Sequence, residues 1–251
     1  MELWKASGLT EESMDAETLI RWTAETFGNK SMFACSFGAE DMVILHMIVR
    51  MRGEISELPE IVTLDTGRLH EETYALMQSV RETYDIEIRT LTPATGQLSE
   101  MVTVHGPNLF YKSVELRKLC CRVRKVIPLE EELESHSAWI TGVRKEQSEE
   151  RSSVVKIASD PVRPHLLKVN PLSDWSTQQL WDYIRQNNVP YNSLHDRGFP
   201  SIGCAPCTRA VAAGEDLRAG RWWWEGGKKE CGIHTQSGDV HTGFITKVNR
   251  K

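Results

Sequence analysis

Four of the six cysteines in this 251-residue chain fall into two short pairs, Cys120-Cys121 and Cys204-Ala205-Pro206-Cys207, far apart in sequence. A fold that accounts for both pairs brings them to one inorganic centre. Neighbouring residues on a helix point about 100° apart, which makes it awkward for Cys120 and Cys121 to reach one tetrahedral ion. A cubane cluster offers four separate metal corners and is easier to satisfy. Zinc, or a thiol–disulfide pair at Cys204 and Cys207, are the alternatives, the latter leaving Cys120-Cys121 unexplained. Cys231 stands alone in Lys229-Glu230-Cys231-Gly232-Ile233-His234, where cationic neighbours favour the thiolate and mark a nucleophile. His234 is close enough in sequence to assist in ligand contact or proton transfer, and Cys35 is expected in a core.

Composition narrows the setting. With 40% hydrophobic and 26% charged residues the chain reads as soluble and globular. No apolar run approaches the roughly 20 residues of a membrane span. Met1-Glu2-Leu3-Trp4-Lys5 lacks the basic and apolar regions of an export signal, so a cytoplasmic location is expected, where thiols stay reduced and cysteines serve metal or redox chemistry. The net charge of -5 gives no reason to expect nucleic acid as a partner. Two local groups, Arg117 to Lys125 and Arg218 to Lys229, carry enough cations to hold a small anion, the solvated face being the ordinary alternative.

Along the chain, Asp15 to Phe27 predicts a packing helix with Asp15 as N-cap and Gly28 as stop signal. Ser31 to Cys35 then reads as a strand, Asp41 to Arg50 as a buried helix, Glu60 to Leu64 as a strand, His70 to Tyr84 as a helix and Ile86 to Leu91 as a strand. Ser113 to Leu133 is helix-like and places Cys120 and Cys121 in or at the edge of a helix, while Ser137 to Thr141 is a strand leading into Gly142-Val143-Arg144. Trp175 to Asn187 predicts a helix introduced by Pro171 and Ser173. Alternating strands and helices imply an α/β fold with a parallel sheet and flanking helices, whose ligand crevice opens beyond the carboxyl ends of the strands. Residues 1–220 are expected to form one α/β domain, and 221–251 a mobile C-terminal tail hinged at Gly226 and Gly227 that carries Cys231.

The loop Ser36-Phe37-Gly38-Ala39-Glu40-Asp41 can direct backbone N–H groups at phosphate ahead of a helix, although it lacks the ending of a Walker loop. Together with Leu64-Asp65-Thr66-Gly67, Lys118-Leu119-Cys120-Cys121, Gly142-Val143-Arg144, Gly203-Cys204-Ala205-Pro206-Cys207 and Glu230-Cys231-Gly232-Ile233-His234, it resembles the assimilatory sulfonucleotide reductases over nearly the whole chain, specifically the adenylyl-sulfate reductases.

The resemblance implies an adenine nucleotide alpha hydrolase-like fold, the fold of the PP-loop ATP pyrophosphatases. The Ser36 loop would hold the phosphosulfate of adenosine 5′-phosphosulfate and the Leu64 segment would lie beside the adenosine. Arg144, Arg218 and Arg221 would complete the anion site. It also implies one [4Fe-4S] cluster per chain on Cys120, Cys121, Cys204 and Cys207, with Lys125 coupling its charge to the substrate. The expected reaction is attack by Cys231 on the sulfonate, giving an S-sulfocysteine from which reduced thioredoxin releases sulfite. A homo-oligomer is compatible with the chain. Competing readings are a 3′-phosphoadenylyl-sulfate reductase, an iron–sulfur tRNA-thiolation enzyme and a zinc-stapled nucleotide-binding protein.

Overall fold

The computed structural model describes residues 14–160, 162–226 and Ile233. Helix α1 (Ala16–Phe27) starts where Asp15 accepts from the Thr18 N–H at 2.8 Å, and stops at Gly28, whose φ of 50° suits glycine. It buries Leu19, Ile20 and Ala24. Strand β1 (Ser31–Ala34) feeds α2 (Ala39–Arg50), in which Met42, Val43, Ile44 and Leu45 are all fully buried, so this helix is apolar nearly all round and packs inside the molecule.

Next come β2 (Glu60–Leu64), α3 (Glu71–Tyr84), β3 (Arg89–Leu91) and α4 (Thr95–His105). Helix α5 (Val114–Cys121) passes through one π-helical turn at Arg122–Val126 into α6 (Ile127–Leu133). The chain closes with β4 (Ala138–Ile140), β5 (Ile157–Ser159), β6 (Leu167–Val169) and α7 (Thr177–Gln186).

The six strands run in the order β3-β2-β1-β4-β6-β5, parallel except for β5, which is antiparallel to β6 at the edge. Successive strands step outward from β1 to β2 and β3 on one side and from β4 to β6 and β5 on the other. The order therefore reverses between β1 and β4, where the loops after these strands diverge and leave a crevice.

The sequence reading finds the first three strands and their helices. It assigns no element to α4, β5 or β6, and it begins β3 three residues early. Helix α4 lacks a side-chain cap and Met101 is its one buried residue, while β5 and β6 have three residues each, too few to show alternation. Helix α7 is capped by Ser176, with Gln179 completing a reciprocal capping box, rather than by Ser173.

Candidate active site

The crevice, about 210 Å³, is walled by the loops after β1 and β4, by Val62, Thr63 and Leu64 of β2, and by the stretches 200–203 and 217–221. Ser36, Gly38, Glu40, Asp41, Leu64, Arg144, Arg218 and Arg221 all line it. In the first loop Phe37 has φ of 60°, a turn that lays the backbone over the start of α2. Asp41 is buried, and its Oδ2 accepts both the N–H of Ser36 at 2.6 Å and its hydroxyl at 2.5 Å. Burial, opposed by these two bonds, pushes the Asp41 carboxyl up to about 6. A Cβ on Gly142 would lie 2.2 Å from Asp41 Oδ1, so the two loops meet at a point that admits no side chain.

Arg144 is 2% exposed and its guanidinium is shared among protein acceptors. Nε and Nη2 reach Glu40 Oε1 at 3.0 and 2.9 Å, and Nη1 reaches the Trp175 carbonyl at 2.9 Å. It joins the start of α2 to the loop before α7 and closes one end of the crevice. Arg218 and Arg221 reach Ser201 Oγ at 3.5 and 3.4 Å, and Arg221 also donates to the Ile202 carbonyl at 3.3 Å and stacks on Trp222 at 4.7 Å. Gly203 makes room for this, since a Cβ there would sit 2.3 Å from Arg221 Nη2.

The four paired cysteines line a second, smaller hollow with Arg68, Arg117, Arg124, Lys125 and Phe110. Cys120 and Cys121 end α5, where the π turn re-aims the chain, a distortion often found at functional sites. Each of three sulfurs has a cation: Arg124 hydrogen-bonds Cys120, Arg117 bonds Cys121 and Lys125 bonds Cys204. Burial raises the Cys120 thiol against the pull of Arg124, and pushes Cys207 up to about 12, reinforced by Cys204 and Cys120. For Cys204 burial is outweighed by Lys125 and by the Thr66 hydroxyl 3.3 Å from the sulfur, and its thiol is held below the ordinary range.

Among the described residues no three cysteine sulfurs fall within 4.8 Å of one another, the spacing met by Glu60, Glu132 and His136. Tetrahedral zinc needs sulfurs about 3.8 Å apart. A four-sulfur hollow surrounded by cations therefore fits a larger, negatively charged cubane better than a single zinc ion.

The segment Leu64 to Gly67 divides between the two sites. Leu64 lines the crevice, whereas Asp65, Thr66 and Gly67 form a turn, with Asp65 Oδ1 accepting from the Gly67 N–H at 2.8 Å and from Tyr74 at 2.7 Å. Thr66 points at Cys204, and its carbonyl accepts from Arg124 at 2.6 Å. Phe37 and Ala39 are packed in the main core and hold the loop from behind. Cys35 is 2% exposed in that same core, as its sequence context suggests, and also borders the crevice. Lys125 lines both crevice and hollow.

The expected nucleophile Cys231, His234 and the rest of the expected tail beyond residue 226 lie outside the described residues except Ile233, which lines the crevice, whereas Arg221 and Trp222 at the start of that segment are buried. The sequence reading passes over Thr73, Arg151, His195 and the stretch 200–202, all on the crevice wall. Of these, Arg151 stands close behind the loop at residues 142–148.

The sequence profile of the phosphoadenosine phosphosulfate reductase domain matches residues 30–210. An adenosine 5′-phosphosulfate reductase of Allochromatium vinosum is 49% identical over 204 residues, 81% of this chain and 78% of its own. Among solved structures, the phosphoadenylyl-sulfate reductase of Candida auris, in a phosphate complex, superposes with a TM-score of 0.66 at 28% identity, covering 80% of this chain and 93% of its own. Yeast FAD synthetase shares the fold, with a TM-score of 0.52 at 15% identity over 82% of this chain and 66% of its own.

Proposed function

The chain belongs to the phosphoadenosine phosphosulfate reductase family, and we propose that it reduces adenosine 5′-phosphosulfate to sulfite and AMP in sulfate assimilation. One observation carries this reading beyond the names of relatives. Among the described residues, a crevice wall carrying Arg218 and Arg221 and a four-cysteine hollow adjoin each other at Lys125.

In this reading Arg218 and Arg221 exchange their long contacts with Ser201 for the phosphate and sulfonate oxygens of the substrate. The N–H groups of the Ser36 loop and the start of α2 face the same anion. Arg144, already balanced by Glu40, sets the loop geometry rather than adding net charge.

The Cys231 thiolate attacks the sulfonate sulfur in line with the phosphate oxygen. A sulfur–sulfur bond forms, the sulfur–oxygen bond breaks, and AMP leaves with the electron pair. The thiolate of reduced thioredoxin then attacks Cys231 Sγ and forms a mixed disulfide as the same sulfur–sulfur bond breaks towards the sulfonate and sulfite leaves; the second thioredoxin thiol resolves that disulfide, returning Cys231 and oxidised thioredoxin. Arg218, Arg221 and the loop amides neutralise charge gathering on the departing phosphate, where fixed donors act most strongly.

Cys120, Cys121, Cys204 and Cys207 would hold one [4Fe-4S] cluster, which when bound supplies fixed negative charge and ties α5 to the segment before Trp222. Lys125 keeps that charge in balance from the crevice side. A cytoplasmic setting suits both the reduced thiols and the thioredoxin donor. No helix among the described residues is long and apolar enough to cross a membrane.

Sulfite release from adenosine 5′-phosphosulfate and from its 3′-phosphorylated form, compared side by side with reduced thioredoxin, tests substrate, reaction and donor together. Preference for the 3′-phosphorylated nucleotide, or no sulfite from either, would overturn the proposal.

A further inference from the structure

We propose that Tyr111, Trp223 and Trp224 form the docking surface for thioredoxin, the dithiol partner that discharges Cys231. This rests on the reaction set out above and concerns where its second step takes place.

The three rings are continuous. Trp224 packs against Tyr111 at 4.5 Å and against Trp223 at 4.7 Å, both edge to face. Their inner side covers the cysteine hollow: Phe110, which lines it, lies 4.6 Å from Tyr111, and the Tyr111 hydroxyl donates to the Pro206 carbonyl at 2.8 Å. Shielding the hollow calls for that inner side only, yet Tyr111 and Trp223 are 47% and 40% exposed. Tyrosine and tryptophan grouped at a surface are the residues that anchor protein partners, because each buries a large area at little cost in rotamer entropy.

The strip is held rigidly. Trp222 is buried between the guanidinium groups of Arg117 and Arg221, 4.6 and 4.7 Å from its ring, and the Glu225 side chain is buried against Arg117. With Trp222 and Glu225 fixed inward, Trp223 is turned outward, through a left-handed backbone at Trp222 with φ of 42°. A bulky residue adopts that conformation only where its surroundings impose it. A surface organised in advance loses little freedom when a partner covers it. Because Arg117 neutralises Glu225, the strip meets that partner as an uncharged apolar surface.

The position of Cys231 along the chain identifies the partner. Gly226 stands two residues after the strip and Cys231 five residues beyond that, so the sulfur lies within about 20 Å of Gly226 whatever path the chain takes. A transient redox encounter buries under about 1,200 Å² in total, a footprint about 25 Å across on each partner. A thioredoxin of that footprint reaches Cys231 and the strip together.

The test is sulfite release by the full chain, with its cysteine centre loaded, driven either by reduced thioredoxin or by dithiothreitol, which needs no docking surface. Trp223→Ala and Tyr111→Ala should each raise the KM for thioredoxin by about tenfold. With dithiothreitol their rates should equal that of the parent, as should the KM for adenosine 5′-phosphosulfate. Val155→Ala, at an exposed apolar residue just before the edge strand β5, should match the parent throughout. Tyr111 also holds the Pro206 carbonyl, so iron is counted in each variant, and Trp223→Ala decides the matter should Tyr111→Ala lose iron. An unchanged KM for thioredoxin in Trp223→Ala would overturn the docking surface. So would an equal loss with both donors, which would seat residues 227–251 of the chain itself on the strip. A fall in oligomeric state of Trp223→Ala with unchanged thioredoxin kinetics would seat a second copy there and overturn it too. No sulfite from the parent with either donor would overturn the reaction, and this role with it.

Discussion

The crevice and the cysteine hollow are both ringed by arginine and lysine, yet the cations are used differently. In the hollow they are committed: Arg124, Arg117 and Lys125 each bond a particular sulfur, and Arg117 is also held by a buried bidentate pair with Glu225, at 3.0 and 2.8 Å. In the crevice, Arg218 and Arg221 reach a serine hydroxyl at 3.5 and 3.4 Å and Arg221 a carbonyl at 3.3 Å, neutral acceptors at long range that an anion can displace. Permanent charge balance in one and replaceable charge balance in the other is what separates a cofactor site from a substrate site.

The sharpest separation comes from the cysteines. Cys231→Ser should lower sulfite release by at least about 1000-fold while iron content stays near about four per chain. Cys120→Ser should instead lose iron and the absorbance near about 400 nm, and leave nucleotide affinity within about threefold, because no crevice residue depends on that sulfur. Iron retained in full by Cys120→Ser would break the assignment of the hollow.

Lys125 is the residue for which the comparison should fail, because it borders both sites. Replacing it with methionine keeps its length and removes its charge. Turnover should fall by about 100-fold, the scale of one well-placed charged donor, with the absorbance band shifted but present. A loss confined to KM, with kcat and spectrum unchanged, would confine Lys125 to the crevice.

How far the two sites can be read from sequence also differs, for a physical reason. Crevice loops follow strands, and strands announce themselves by short apolar runs, so the loops at Ser36 and Gly142 are found at once. The hollow is found by its cysteines alone. The π turn that aims Cys120 and Cys121, the turn of Thr66 towards Cys204 and the pairing of Arg117 with Glu225 join segments distant in sequence and leave no periodic trace. The same holds for the crevice wall at 200–203, an irregular stretch placed by Arg221, for which Gly203 leaves space. Leu64 to Gly67 is one contiguous motif, yet Leu64 lines the crevice while the Thr66 hydroxyl reaches Cys204, a division that spacing along the chain does not show.

Gly142→Ala should damage the crevice and spare the hollow. Its methyl group would sit 2.2 Å from a buried carboxylate oxygen, and the loops must part to admit it. Overpacking of this kind costs about 1–3 kcal/mol, and with the Ser36 loop displaced KM should rise by about tenfold at unchanged iron content. Equal losses of iron and affinity would show that the two sites share one rigid frame.

The mildest perturbation needs no new side chain, only pH. Asp41 is raised to about 6 by burial, against about 3.8 in the unfolded chain. Between these values the folded state holds a proton that the unfolded state has released. By linkage the Asp41 contribution to stability is greatest at low pH and declines as pH rises through about 6, by up to about 3 kcal/mol. Asp41→Asn should flatten that part of the stability profile. Above pH 6 the ionised carboxylate grips both donors of Ser36 and also repels an incoming anion, so substrate affinity should improve by about twofold to threefold as pH falls from 7 to 6. The hollow has no part in that step, because Asp41 borders the crevice alone. An affinity that keeps the same pH dependence in Asp41→Asn would move its origin to another group on the crevice wall.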